Sequence, residues 1–178
     1  MSQDPHYDIW YEDECHFQQH GSRCTTWFPP EEKDPVVLQT PTRKSKSVFG
    51  AVKTGNGRFI YQFSDVFNAV TFKEFIQEVV LHRQDEKVLL LILDNSRYHH
   101  AKMLHPWLEE HKNEIQLLFL PPYSPDLNSI ERVWKLTRKL CTHNRYFPSL
   151  EDLFTAISDK FEEWTKPNEQ LRKLCVIN

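Results

Sequence analysis

Apolar positions change their spacing part-way along the chain. Between residues 7 and 64 they fall in short, partly alternating runs. "YDIWYEDECHF" (7–17), "KSVFGAVKT" (46–54) and "RFIYQFS" (58–64) have the aromatic and β-branched content of half-buried strands. Gly55-Asn56-Gly57 joins the last two, and such residues accept the positive φ of a hairpin turn. "CTTWF" (24–28) is a further short strand candidate to pair with the first, before "PPEEKDP" breaks the chain. From residue 68 the period lengthens. Phe72, Phe75, Ile76, Val79 and Val80 lie on one face of a helix over 68–83, with Thr71 and Glu74 offering a capping box. "KVLLLILDN" (87–95) and "IQLLFLP" (115–121) are continuous apolar runs, as expected of strands buried on both faces. Between them, 101–112 has a helical pattern with Pro106 at its first turn or at a kink. A helix runs from Ser129 to about Cys141, and another over 149–165 starts at a Ser149 cap with Asp152 three residues on.

This order predicts an α/β fold. Its centre is a mixed five-stranded sheet, an antiparallel meander followed by parallel strands, flanked by helices in an RNase H-like arrangement. The 178 residues form one domain with a sizeable core. No apolar run spans a bilayer and no signal-peptide pattern opens the chain, so a cytoplasmic protein with no membrane partner is expected. The four cysteines include no C-x-x-C pair, and "CHFQQH" (15–20) matches no standard zinc spacing.

The net charge of −3 is low for a nucleic-acid protein, but the charges are segregated. Basic residues gather in "RKSK" (43–46) and over 132–145; acids gather at 8–14 and 31–34. Within the acids, Asp13 sits inside the first strand and Asp94 ends the strand 88–93, where open α/β sheets place their sites. A third carboxylate, Glu131, follows "LPPYSPDLNS", whose three prolines forbid a helix until residue 128. Asn128 and Glu131 have capping-box spacing, so a cap role and a ligand role compete for the Glu131 side chain. The segment between Asp94 and Glu131 holds a helix, a strand and the proline loop, enough to return the chain to the same end of the sheet. Three converging carboxylates suit Mg²⁺ or Mn²⁺ and two-metal cleavage of a phosphodiester. Glu14, by strand alternation, points away from Asp13. Trp134 and the aromatic positions of 149–165 have the spacing of core residues.

"YEDECHF", "LLLILDNSRYHHAK" and "LPPYSPDLNSIERVWK" together resemble the three catalytic blocks of the mariner-type transposases, specifically the bacterial insertion-sequence branch with a DDE triad. The resemblance extends over residues 7–165 and places the triad on Asp13, Asp94 and Glu131. Ser129 departs from the family's usual proline, a substitution compatible with a helix start. The resemblance implies two Mg²⁺ (or Mn²⁺) ions, cleavage at transposon ends and strand transfer into target DNA at a TA dinucleotide. It implies double-stranded DNA as partner, and a homodimer or a partner chain carrying the end-binding domain. The usual N-terminal helix-turn-helix region has no counterpart in these residues. His99 and His100 are implied as phosphate contacts or supports of the metal site. Arg132, Lys135, Arg138 and Lys139, with Arg43, Lys44 and Lys46, are the expected DNA contacts, and Asn95 is expected to orient Asp94. Two other readings stay open: an RNase H-like nuclease without strand transfer, and a non-catalytic remnant that binds DNA or a full-length partner.

Overall fold

A computed structural model of the chain describes residues 5–25, 27, 29, 31, 36 and 38–176. Five strands form one sheet in the order β3-β2-β1-β4-β5. β1 (Tyr7–Gln18), β2 (Ser45–Lys53) and β3 (Phe59–Phe63) are the antiparallel meander. β4 (Val88–Leu93) and β5 (Ile115–Phe119) run parallel to β1 and to each other. Among the described residues the α-helices are α1 (Ala69–Leu81), α2 (His105–Glu110), α3 (Ile130–Thr137), which continues as a wider π turn over Arg138–Thr142, α4 (Leu150–Trp164) and α5 (Glu169–Leu174).

Strand parity sorts the core into two layers. Odd-numbered β1 residues Tyr11, Cys15 and Phe17 pack with Trp134, Phe161 and Trp164 under α3, α4 and α5. Trp10, on the other face, joins Phe49, Leu89 and Leu91 under α1 and α2. In the first layer, Gly50 pairs with Asp13 across β1 and β2. A Cβ at Gly50 would lie 2.3 Å from the Trp134 ring, so glycine is what lets that indole approach the sheet. Gly57, at φ +70°, closes the hairpin, and a Cβ there would lie 2.1 Å from the Asn168 carbonyl.

Several sequence expectations change. Cys24, Thr25 and Trp27 lie outside any strand, while Thr26 and Phe28 fall outside the described residues; β1 pairs instead with β2. Most of the acidic run 31–34 (residues 32–34) is also outside them. The box at α1 is Asn68 with Thr71, one turn earlier than Thr71 with Glu74, because asparagine is the stronger cap. Residues 97–104 form two short 3₁₀ turns, which reduces the expected helix to α2, with Pro106 in its first turn. β5 is an edge strand with Leu118 exposed, not one covered on both faces. α5, only six residues long, has too few positions to register a period. Ser149 and Asp152 cap α4 as expected.

Candidate active site

Continuing the β1–β4 register two residues beyond Tyr11↔Ile92 sets Asp13 opposite Asp94. Both lie on the α3 side by parity. Glu131, the second residue of α3, comes from above. The three carboxylates line one cavity of about 500 Å³, with Ser96, Arg97, Tyr123 and Asn128 around them. The proline loop fixes its roof. Leu120 donates its N–H to the Leu93 carbonyl at 2.8 Å, and the Asn95 amide donates to the Leu120 carbonyl. Leu127 and Asn128 then turn back onto Ser124 and Pro125 through backbone hydrogen bonds of 3.1 and 3.0 Å. Tyr123 holds φ +56°, a costly conformation for a bulky residue, and is fully exposed at the cavity lip.

The helix start resolves the competition for Glu131. No side chain caps α3. Asn128, buried, instead donates its amide to the Glu12 carbonyl at 2.9 Å and so bolts the loop to β1. The expected box does not form, and Glu131 is left lining the cavity. Trp134, one turn further, donates its indole N–H to Asp13 Oδ2 at 3.1 Å.

The carboxylates differ electrostatically. Burial, then the charges of Glu14 and Glu131, push Asp13 up to about 7. Asp94 is held down to about 2, first by its hydrogen bond from His99, then by the Ser96 N–H at 2.8 Å and hydroxyl at 3.1 Å. Asp13 is thus a half-buried acid whose charge the protein leaves largely uncompensated. An all-oxygen donor set of that kind fits a hard divalent cation, whose charge would restore the ionised form.

The model of the DDE superfamily endonucleases matches residues 8–154. The chain belongs to this family. An "Insertion element IS630 uncharacterized 39 kDa protein" of Shigella sonnei is 24% identical over 152 residues, covering 85% of this chain and 43% of that protein. The "Uncharacterized protein y4pE/y4sA" of Sinorhizobium fredii (strain NBRC 101917 / NGR234) is 32% identical over 130 residues, 73% of this chain and 90% of its own length. Among solved structures, the Mos1 transposase paired-end complex with left transposon end superposes with a TM-score of 0.71 at 16% identity, covering 94% of this chain and 51% of that one. The catalytic domain of Mos1 mariner transposase gives 0.62 at 16% identity, over 94% of this chain and 75% of that one. The chain therefore spans less than half of the Shigella protein and about half of the paired-end chain. The Mos1 likeness establishes the fold, which is RNase H-like.

Within this DDE endonuclease domain, the expected DNA contacts separate into three groups. Lys135, Lys139, Arg43 and Lys44 are exposed. Lys46 is half-buried, its ammonium 5.1 Å over the Phe154 ring. Arg132 and Arg138 turn inward: Arg132 donates to the Leu174 and Val176 carbonyls at 2.9 and 2.8 Å, and Arg138 to Cys15 Sγ at 3.0 Å. Their guanidinium groups serve the α3–α5 and α3–β1 joints. The histidines also part. His100 is exposed against Phe119, at a groove distinct from the triad cavity. His99 is 2% exposed, with both ring nitrogens facing carboxylates, so a direct phosphate contact is ruled out in this conformation. Asn95 serves Leu120, and Ser96 takes the place expected of it beside Asp94. Arg97, exposed at the cavity wall, was missed, although its position three residues after Asp94 on a short turn is a usable signal.

Proposed function

We propose that this domain cleaves DNA phosphodiesters at transposon ends and transfers the released 3′-OH into target DNA. The observation supporting this is the meeting of Asp13, Asp94 and Glu131, from β1, the end of β4 and the start of α3, on one cavity wall. The three side chains are the proposed ligands of two Mg²⁺ or Mn²⁺ ions. Bound there, the ions supply activation of a water and stabilisation of the leaving oxygen. The protein's own part is placement. Asp94 stays ionised and fixed by Ser96, Asp13 is aimed by Trp134, and the proline loop presents Glu131. Arg97 at the cavity wall offers a cation to the scissile phosphate. Exposed Lys135, Lys139, Arg43 and Lys44 neutralise the flanking backbone. Water displaces the 3′ oxygen from phosphorus in the first step. That 3′ hydroxyl then attacks a target phosphodiester and displaces another 3′ oxygen, with no covalent protein–DNA intermediate. Double-stranded DNA is the proposed partner, with a second copy or a chain bearing an end-binding domain completing the assembly. The proposed site of action is the bacterial cytoplasm, at the nucleoid while bound to DNA.

The test is nicking of supercoiled plasmid in Mn²⁺, followed by joining assays with supplied ends. Asp94→Asn and Glu131→Gln should each lower nicking by at least ~100-fold while leaving the unfolding temperature within a few degrees. Equal nicking by either variant would discard the triad assignment.

A further inference from the structure

β1 presents carboxylates to both sides. Asp13 faces the cavity; Glu12 and Glu14 face α1 and the turn at 97–100, where His99 lies between them and Asp94. The His99 Nε2 is 3.1 Å from Glu14 Oε1 and 3.9 Å from Glu12 Oε2. Its Nδ1 is 3.2 Å from both the carboxylate Oδ1 and the backbone oxygen of Asp94. Phe72 and Tyr98 clamp the ring, with centroids 4.3 and 4.4 Å away, and the His99 N–H closes the turn onto the Ser96 carbonyl at 3.0 Å. Glu12 is wholly buried, and neither of its carboxylate oxygens has a hydrogen-bond partner. The imidazole therefore has one rotational position, set from both ends.

Asp94 needs such a support. Its side chain is 52% exposed and stands on the first residue after a strand, where a short acid rotates freely in solvent. Its neighbour Asn95 is committed to the proline loop. Ser96 restrains the carboxylate only locally, from two residues away. His99 is the group that refers its orientation to another strand.

We propose that His99 is a positioning residue: through it, half-buried Glu14 on β1 fixes the carboxylate plane of Asp94 at the end of β4 for cation binding. The inference rests on the triad reading above. A metal ligand held by an outer hydrogen-bonding partner binds its ion more tightly, and loss of such a partner commonly costs about 10–100-fold in affinity. Here the outer partner is shared between the two strands that bear the aspartates, so one strand aims both.

Amide substitutions divide the two ends of the imidazole. In His99→Asn the amide nitrogen falls near Nδ1 and still donates to Asp94; in His99→Gln it falls near Nε2 and reaches only Glu14. The measurement is Mn²⁺ affinity of the purified chain by electron paramagnetic resonance, with metal-free unfolding temperatures and the Mn²⁺ dependence of nicking alongside. His99→Gln should bind Mn²⁺ about 10–100-fold more weakly, with nicking recovered at high Mn²⁺. His99→Asn, which keeps the bond to Asp94 but loses the anchor on Glu14, should weaken Mn²⁺ by an intermediate factor. Glu14→Gln, a change of nearly equal volume, should weaken Mn²⁺ by an intermediate factor. Parent-like affinity in His99→Gln overturns the proposal, as does a loss in both His99 variants that merely tracks their unfolding temperatures. Full Mn²⁺ affinity in Asp94→Asn would instead overturn the triad reading. Mn²⁺ retained when Asp94→Asn and Glu131→Gln are combined, and lost on adding Glu14→Gln, would make Glu12, Glu14 and His99 a cation site themselves and overturn the positioning role.

Discussion

Asp13 shows how one side chain records the state of the site. Its folded carboxyl holds a proton up to about pH 7, against a normal value of 3.8, because burial and its acidic neighbours oppose the charge. The folded state thus binds more protons than the unfolded state between these two values, and metal-free stability falls as pH rises through that window. Asp13→Asn removes the slope. Without metal it should raise stability at pH 8 by about 2–4 kcal/mol and change little below pH 4, as read by urea unfolding at both pH values. Saturating Mg²⁺ should stabilise the parent at pH 8 and leave the variant unmoved. At this scale Asp13, Asp94 and Glu131 were legible because strand ends, proline punctuation and the block resemblance all mark them. His99 was marked too, but not its burial: nothing local distinguishes a histidine facing DNA from one wedged between Glu14 and Asp94. Asn128 misled for a similar reason. Its cap spacing to Glu131 is genuine, but a tertiary acceptor, the Glu12 carbonyl, takes the amide instead.

Among the elements, α3 and β2 are joined through a missing side chain. Gly50 leaves room for Trp134, and Trp134 in turn holds Asp13. Gly50→Ala pushes a methyl against the indole and against Phe59, whose ring lies 3.0 Å from the new carbon. Overpacking of this kind costs about 1–3 kcal/mol. The expected result is that loss of stability together with weaker Mn²⁺ binding, since the indole cannot retreat and keep its bond to Asp13. Combining it with Trp134→Phe should recover part of the stability but not the Mn²⁺ affinity, a pattern that titration of the two variants would check. The strands were legible from alternation and apolar runs. Residues 97–104 were not, because 3₁₀ turns have too few positions to differ from a helix in sequence. β5 carries the apolar run of a buried strand, yet among the described residues no strand pairs with its outer edge.

Over the whole molecule, an acidic centre lies among separated cations, and net charge says little about where a polyanion sits. Lys135→Ala with Lys139→Ala should lower DNA affinity and flatten the slope of log affinity against log salt by about 1–2, as each released phosphate contact contributes roughly 0.9. Arg132→Ala should act differently, loosening α5 and lowering the unfolding temperature, because its guanidinium holds the Leu174 and Val176 carbonyls. Filter binding across a salt series, with a melting curve for each variant, separates the two. The mixed sheet with helices on both faces was legible at this scale from the order of elements alone. Which arginines stay free for DNA was not, since that depends on how α3 meets α5.

The alternation of β1 also bears on which length changes this domain tolerates. Trp10 anchors the strand in one core layer, and the facing of Asp13, three positions later, depends on that odd separation. Deleting a single residue at Tyr11 or Glu12 would turn Asp13 towards α1 and bring Glu14 to the cavity in its place. The gene product would still fold around an acidic pocket, yet with a longer side chain in the aspartate's position and His99 deprived of its anchor. Removing two residues would restore the facing but shorten the reach to Asp94. The reading frame of carboxylates along this strand is therefore as exacting, in its own period of two, as the frame of codons that encodes it.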